Sequence, residues 1–511
     1  MTPTRIAIVG GGITGLSLAF TLQAEARRRR TPVDLVVLES SPEPGGHART
    51  RVEDGFLVEA GPNGFLDREP ETLALAQELD LSSRLVEARA EAKRRFIVRG
   101  GRLRRVPESP ATLLTSDALS LAGKLRLLLE PFAPGPPAGV DETIFEFARR
   151  RIGHEAAEML VDAAVSGISA GDSRELSVAA QFPLMVEMER EHGSLIKAMI
   201  ARRKRGMGPP RLLSFDRGLG VLVSALAARL GNRLRLGTAV RSVDRAFSGA
   251  WQLCTSDGRV LEADHVVLAV SARAAAGMIA HGDAELAEAL SGIPASGVTL
   301  AALAYRVEDV PRSLDGYGYL VTRPEGLTTL GVVWESSLFP DRAPSGMALV
   351  RVFLGGARRR HVVGLGEERA VALAREELRA VLGIRAEPAR TWAFRWPFAI
   401  AQYTVGHLDR VARIRACAGR HPGLHFCGAS YDGVSFNHAI AGGRRLARAL
   451  AATLPTEPLE AELRTGAGSS VILPNTPVLE RVSSRSPPGV LPESSRSPLS
   501  PPAAGRGKAR L

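Results

Sequence analysis

Residues 5–20 read RIAIVGGGITGLSLAF, and three segments of this stretch decide the fold class. The apolar run Arg5 to Val9 predicts a buried strand, and LSLAFTLQAEA beyond the glycines predicts a helix. Between them Gly10, Gly12 and Gly15 stand in G-x-G-x-x-G order. In such a turn the first glycine bends the chain, the second admits a pyrophosphate and the third lets the helix pack on the strand. Gly11, Ile13 and Thr14 complete the turn, where the helix start offers backbone N–H groups to phosphate oxygens. VDLVVLE then predicts a second strand ending at Glu39, whose carboxylate is placed to accept ribose hydroxyls. Ser40 and Ser41 follow instead of an arginine, which argues against a 2′-phosphate. One βαβ unit therefore opens the chain and implies a bound dinucleotide.

Helical periodicity dominates from about 67 to 212, in ETLALAQELD, ALSLAGKLRLLL and LIKAMIARRKR. Shorter elements return from 213, where RLRLGTAVRSVDRA, AWQLCTSDG and ADHVVLAV predict strands that rejoin the first sheet. Residues 298–396 alternate as strands do, with one helix at EERAVALAREELRAVLG. A last strand, a glycine turn and the helix NHAIAGGRRLARALAATL follow. From 455 to 511 Pro, Ser, Gly and Arg dominate; such a composition buries no core, so a disordered tail is expected.

The 511 residues, 45% of them hydrophobic, suffice for two or three domains. Cys254, Cys417 and Cys427 are too scattered for a disulfide framework or a thiolate metal site. No signal-peptide pattern precedes the first strand, and no window approaches the roughly 18 apolar residues of a spanning helix. A cytoplasmic location is expected, with peripheral attachment to the inner face of the cell membrane as the variant. The formal charge of +12 is spread along the chain without a basic motif interleaved with aromatics, so no nucleic-acid partner is expected.

Beyond Glu39, ESSPEPGGHART carries the doublet Gly45-Gly46. This resembles the glycine-doublet signature of the flavin-dependent amine oxidase superfamily, whose members bind FAD. The resemblance implies that Arg49 lies near the flavin pyrophosphate or ribityl chain. It puts GPNG, that is Gly61, Pro62, Asn63 and Gly64, near the isoalloxazine ring. No second fingerprint for NAD(P)H is found, since RGLGVLV from Arg217 lacks the third glycine.

SGISAGDSRELS, residues 166–177, reads as a polar loop without reactive side chains. It nevertheless closely resembles the loop of the oxygen-dependent, FAD-containing protoporphyrinogen oxidases. KRRFIV, GYGYLV, FPDRAPSGMALVRVFLGG, AQYTVGHLDRV and GASYDGVSFNHAIAGG resemble further segments of that family in the same order, so the likeness covers about residues 5–454. It implies further FAD contacts at Val240, Ala429, Val434, Ser435 and Phe436. For the substrate it implies Arg95 pairing a propionate, the Gly167 carbonyl accepting a pyrrole N–H, and Leu320 with Phe353 enclosing the macrocycle. A large apolar ring carrying carboxylates needs such apolar walls and at least one guanidinium. The chain departs from the family at His438, where many relatives have an acid, at Ser435, and at Asn63, where animal relatives carry arginine. His407 is expected to be structural rather than a base.

The implied fold class is α/β. A discontinuous Rossmann-like FAD-binding domain is expected from 1–66, 213–290 and 405–454, with a mixed-sheet substrate domain at 291–404. A largely helical, membrane-associating insertion is expected at 67–212. The implied reaction is three successive two-electron oxidations of protoporphyrinogen IX, each passing a hydride from a bridging methylene to flavin N5, with O2 as final acceptor. It needs no catalytic side chain and no metal. The porphyrinogen, O2, an anionic membrane surface and a second copy of the chain in a homodimer are the partners that this family reading allows. Three alternatives stay open: a coproporphyrinogen III oxidase, an amine oxidase or carotenoid desaturase-like flavoenzyme, and a non-enzymatic flavin-binding protein.

Overall fold

The glycine turn sits at the centre of a parallel sheet in the computed structural model, which describes residues 2–456 apart from 138 and 207. Strand β1, Thr4–Val9, pairs in parallel with β2, Val33–Leu38, on one side and with His265–Leu268 on the other. Leu234–Arg235 and Leu424–Phe426 extend the two edges, completing five parallel strands drawn from three distant stretches of chain. A parallel sheet is stable only with both faces covered. Helix α1, Ile13–Arg28, covers one face together with the Phe436–Thr453 helix. These two pack so closely that a Cβ on Gly443 would lie 2.6 Å from the Thr14 carbonyl oxygen. The helices Ala272–Ile279, Ala284–Ser291 and His407–Ala418 close the other face around Val9, Val266 and Leu268.

A second sheet has seven strands, in the order Arg390–Ala401, Ala295–Arg306, Met347–Gly355, Thr329–Trp334, Gly318–Val321, Arg95–Arg99 and Arg102–Arg105. All neighbours are antiparallel except Gly318–Val321 with Arg95–Arg99, which run parallel. Strand alternation sorts the side chains. Ala301, Leu303 and Tyr305 pack under the Glu367–Leu382 helix, whereas Leu300, Ala302 and Ala304 face Phe56 and Val58.

The stretch 67–212 contains the helices Pro110–Thr115, Leu121–Leu128, Ile144–Ile152, Pro183–His192 and Leu195–Lys204. It also contains the last two strands at one side of the seven-stranded sheet, Arg95–Arg99 and the edge strand Arg102–Arg105, because Gly100 and Gly101, at φ +61° and +66°, form a hairpin turn that helical periodicity does not register. The strands after 234 differ from their reading too. Val240–Arg245, Trp251–Thr255 and Val260–Ala263 form a separate antiparallel sheet, since Gly249 and Gly258, both at positive φ, turn the chain back on itself. Leu234–Arg235 and His265–Leu268 are the segments that rejoin the first sheet. Residues 457–511, which make up most of the tail expected to be disordered, lie outside the described residues.

Candidate active site

Gly10 leaves β1 at φ +108°, and a Cβ there would sit 2.6 Å from the Ala269 carbonyl oxygen. A Cβ on Gly15 would fall 1.9 Å from the Gly10 carbonyl oxygen, so its absence seats α1 on the turn. Around Gly12 the space is open: a Cβ would meet nothing within 4 Å. The turn thus leaves a hollow at the start of α1, where Ile13 and Thr14 begin the helix and its N–H groups favour an anion. Glu39 is fixed beside it. Its carboxylate accepts the Gly11 N–H at 2.6 Å, the Ser41 N–H at 2.8 Å and the Ser40 hydroxyl at 3.2 Å. The Glu39 carbonyl accepts the Thr238 N–H at 2.7 Å, which brings buried Val240 to the same end of the sheet.

The glycine doublet lies across this turn. The Gly45 N–H donates to the Gly11 carbonyl at 2.8 Å, and a Cβ on Gly46 would approach Gly12 Cα to 3.3 Å. Arg49 follows, with Nη2 donating to Ser41 Oγ at 2.8 Å and its buried Nε without a partner. A buried unpaired guanidinium donor is costly unless a ligand accepts from it. The hollow at Gly12, the carboxylate and this free donor fit the pyrophosphate and ribose of FAD.

Gly61 and Gly64 are pressed against backbone, where a Cβ would lie 2.3 Å from the His47 carbonyl oxygen and 2.6 Å from that of Leu213. Between them Pro62 is half-buried, and buried Asn63 donates through Nδ2 to Glu335 Oε1 at 3.0 Å. The chain returns to this place at its far end. Ala429 and Val434 lie in the turn before the Phe436–Thr453 helix, which Ser435 caps by accepting the His438 N–H at 3.1 Å. The Phe436 ring stacks on Phe65, next to Gly64, with centroids 5.9 Å apart.

Two rows of cross-strand partners run over one face of the seven-stranded sheet. One runs Ile97, Leu320, Gly331, Phe353, Leu300, and the other Arg95, Gly318, Val333, Arg351, Ala302. Directly opposed residues share a face, so Arg95, Leu320 and Phe353 project to one side. Gly167 reaches that side as well: a Cβ on it would fall 2.2 Å from a Leu320 methyl carbon. Arg95 is exposed, lies 5.4 Å from the centroid of the Tyr317 ring, and has no acidic partner among the described residues. Its neighbours are occupied, Arg94 by Asp315 and Arg99 by Glu155.

Gly167 is not in a loop. It lies in the last turn of the Ala163–Ser169 helix, where backbone carbonyls lose their intrahelical partners, and Ala170 at φ +49° ends the helix. The polar composition hid this helix because its anchors are remote. Arg358 donates to Asp162 at 3.0 Å and to Ser166 at 2.8 Å, while Arg323 pairs with Asp162 at 2.8 Å and with Asp172 at 2.6 Å. Ser173 adds a 2.6 Å bond to Asp162. Burial pushes the Asp162 carboxyl up, but the bonds from Arg323 and Ser173 outweigh it and hold the group below its ordinary range. Asp172 and Ser173 of SGISAGDSRELS are therefore fasteners for the helix end that carries Gly167.

Sequence reasoning also missed the fully buried pair Glu335 and Arg351. Arg351 donates Nε to Glu335 at 2.6 Å and Nη1 to the carbonyls of Glu59 at 2.9 Å and Gly61 at 2.8 Å. This pair joins the face that carries Arg95 to the GPNG segment. Its one signal was a lone arginine inside the apolar run MALVRVFLGG.

The family model for flavin containing amine oxidoreductases matches residues 13–451. The chain belongs to that family. It is an FAD-dependent oxidoreductase, with the mixed α/β architecture of flavin amine oxidoreductases. Coproporphyrinogen III oxidase of Bacillus subtilis is 30% identical over 455 residues, covering 86% of this chain and 96% of that one. Human protoporphyrinogen oxidase is 33% identical, covering 88% of this chain and 99% of its own length. Among solved structures, a protein from Exiguobacterium provisionally named a protoporphyrinogen oxidase superposes with a TM-score of 0.78 at 26% identity. That match covers 88% of this flavin oxidoreductase and 99% of the other chain.

Proposed function

We propose that this flavin oxidoreductase oxidises protoporphyrinogen IX to protoporphyrin IX, removing six electrons and passing them to three O2 with formation of three H2O2. The observation that carries the reading is the shared face of Arg95, Leu320 and Phe353, with Gly167 packed on Leu320 and Arg351 tying that face to Gly61. Bound FAD supplies a two-electron acceptor that is used three times. The chain supplies orientation. Arg95 binds a propionate, Leu320 and Phe353 wall the macrocycle, and the Gly167 carbonyl accepts a pyrrole N–H. Gly10 to Gly15, Glu39, Ser40, Arg49, the 61–64 segment, Val240, Ala429 and Val434 to Phe436 hold the cofactor. A site built this way lowers the barrier by positioning and by excluding water, without a dedicated acid or base.

A coproporphyrinogen substrate is the second reading, favoured by the likeness to the Bacillus subtilis enzyme. Arg95 speaks for protoporphyrinogen, which carries two carboxylates where coproporphyrinogen carries four, because the arginines beside it are already neutralised. Turnover of the two purified porphyrinogens decides: a higher kcat/KM for protoporphyrinogen supports the first reading, and the reverse order replaces it.

The proposed location is the cytoplasm, against an anionic membrane surface. Leu121, Leu125 and Leu128 form an exposed stripe on one helix, continued by Leu129 and by Phe132, which is 84% exposed, and Lys124 and Arg126 lie beside it. An apolar stripe edged with cations suits an interface. No helix among the described residues is long and apolar enough to cross a membrane. Flotation with anionic vesicles tests the attachment, and failure to co-migrate rejects it.

A further inference from the structure

Tyr403 makes contact with both halves of the site through different atoms. Its hydroxyl donates to the Ala429 carbonyl at 2.7 Å and accepts the Gly433 N–H at 2.8 Å, so it spans the turn between Gly428 and Gly433. Those two glycines stand at φ +117° and +116°, so the turn begins and ends on residues that add no rigidity of their own. On the other side the Tyr403 carbonyl accepts the Ser177 N–H at 2.8 Å, and the Val405 N–H donates to the Glu175 carbonyl at 3.0 Å. Gln402 extends the link, with Nε2 donating to the Ser169 carbonyl at 3.0 Å, at the end of the helix that carries Gly167.

The strap is itself held. The Tyr403 ring stacks on His407 with centroids 3.8 Å apart and planes within 13° of parallel, and both residues are buried. Burial, with the nearby Arg410 charge, pushes the His407 imidazole down to about 4, so the stack stays neutral. Asp141 fixes the strap from outside, accepting the Ser177 hydroxyl at 2.5 Å and the Gly406 N–H at 2.9 Å.

We infer that residues 402–405 form a splint that sets the spacing between the Gly167 helix end and the 429–433 turn, with Tyr403 and Gln402 as its positioning residues. This rests on the reading of 428–436 as flavin-facing and of Gly167 as substrate-facing. The two ends have separable readouts. Tyr403→Phe keeps the ring and the stack but cuts both bonds to the turn. With FAD stoichiometry retained, it is expected to shift the visible spectrum of the bound flavin, to speed hydrogen exchange at the Gly433 amide about tenfold, and to lower kcat about tenfold at unchanged KM. Gln402→Met cuts the other end and is expected to raise KM about tenfold while the flavin spectrum stays that of the wild type.

A Tyr403→Phe protein with wild-type spectrum and exchange overturns the inference. So does a pair of variants that lower only the melting temperature. If Tyr403→Phe does not fold, an unchanged KM in Gln402→Met overturns it alone. Wild-type protein that oxidises no porphyrinogen refutes the proposed substrate, whereas the spectrum and exchange of Tyr403→Phe still decide the flavin side of the splint.

Discussion

Gly167 and Leu320 touch so closely that a single added carbon on Gly167 would lie 2.2 Å from a Leu320 methyl carbon. One residue lies in the last turn of a helix and the other on a strand of the seven-stranded sheet, so their contact fixes how the helix end meets the proposed macrocycle wall. Gly167→Ala is expected to push Leu320 aside and to destabilise the fold by about 1–3 kcal/mol. In a Leu320→Ala background the clash is gone, and alanine exceeds glycine in helix propensity by about 1 kcal/mol, so the same change becomes neutral or stabilising. Denaturant unfolding of the four proteins measures this cycle.

Arg95 and Arg94 are adjacent but differ in freedom. Arg95→Ala is expected to raise the porphyrinogen KM about ten- to a hundredfold, the loss of a charge-assisted bond of about 1.5–3 kcal/mol, with FAD content unchanged. Arg94→Ala removes a partly exposed pair with Asp315 and is expected to alter KM less than about threefold. Steady-state kinetics of both variants beside their flavin absorbance checks the contrast.

The buried Arg351 and Glu335 pair predicts a strong asymmetry. Arg351→Met strands the Glu335 charge and is expected to cost about 3–5 kcal/mol, whereas the double variant with Glu335→Gln regains most of it. Because Arg351 also holds the Gly61 carbonyl, both variants are expected to bind FAD more weakly, as measured by flavin release on titration with denaturant.

Glu59 gives the stability a pH signature. Burial pushes its carboxyl from 4.5 up to about 7, against the opposing effects of Arg342, the Leu219 N–H and the Thr50 hydroxyl. The folded state then binds a proton that the unfolded state has released. The contribution is fully present below about 4.5 and is lost as pH rises through about 7. Urea unfolding at pH 5 and pH 8 is expected to show the wild type losing more stability over that interval than Glu59→Gln does.

The βαβ turn and the doublet of the proposed cofactor half were legible as structure because their information is local. Gly10 to Gly15 and Glu39 belong to one βαβ unit, where chain order fixes spatial order, and the doublet at Gly45 follows within a few residues. The proposed substrate half depends on pairing between remote segments. Arg95 joins Leu320 and Phe353 only because Arg95–Arg99 pairs in parallel with Gly318–Val321, a register that no periodicity within either segment encodes. The helix ending at Ser169 was hidden for the same reason, since the arginines that secure it, Arg323 and Arg358, come from far along the chain. Glu335 and Arg351 had no readable link either, because the short helix Glu335–Leu338 and the pairing of Thr329–Trp334 with Met347–Gly355 bring them together.

Anaerobic mixing of the purified flavoprotein with protoporphyrinogen IX tests the central claim most directly. Bleaching of the bound FAD absorbance together with growth of porphyrin fluorescence, followed by recovery of the flavin band on admitting O2, is the predicted result. An FAD band that stays oxidised with protoporphyrinogen but bleaches with a primary amine or polyamine would contradict it.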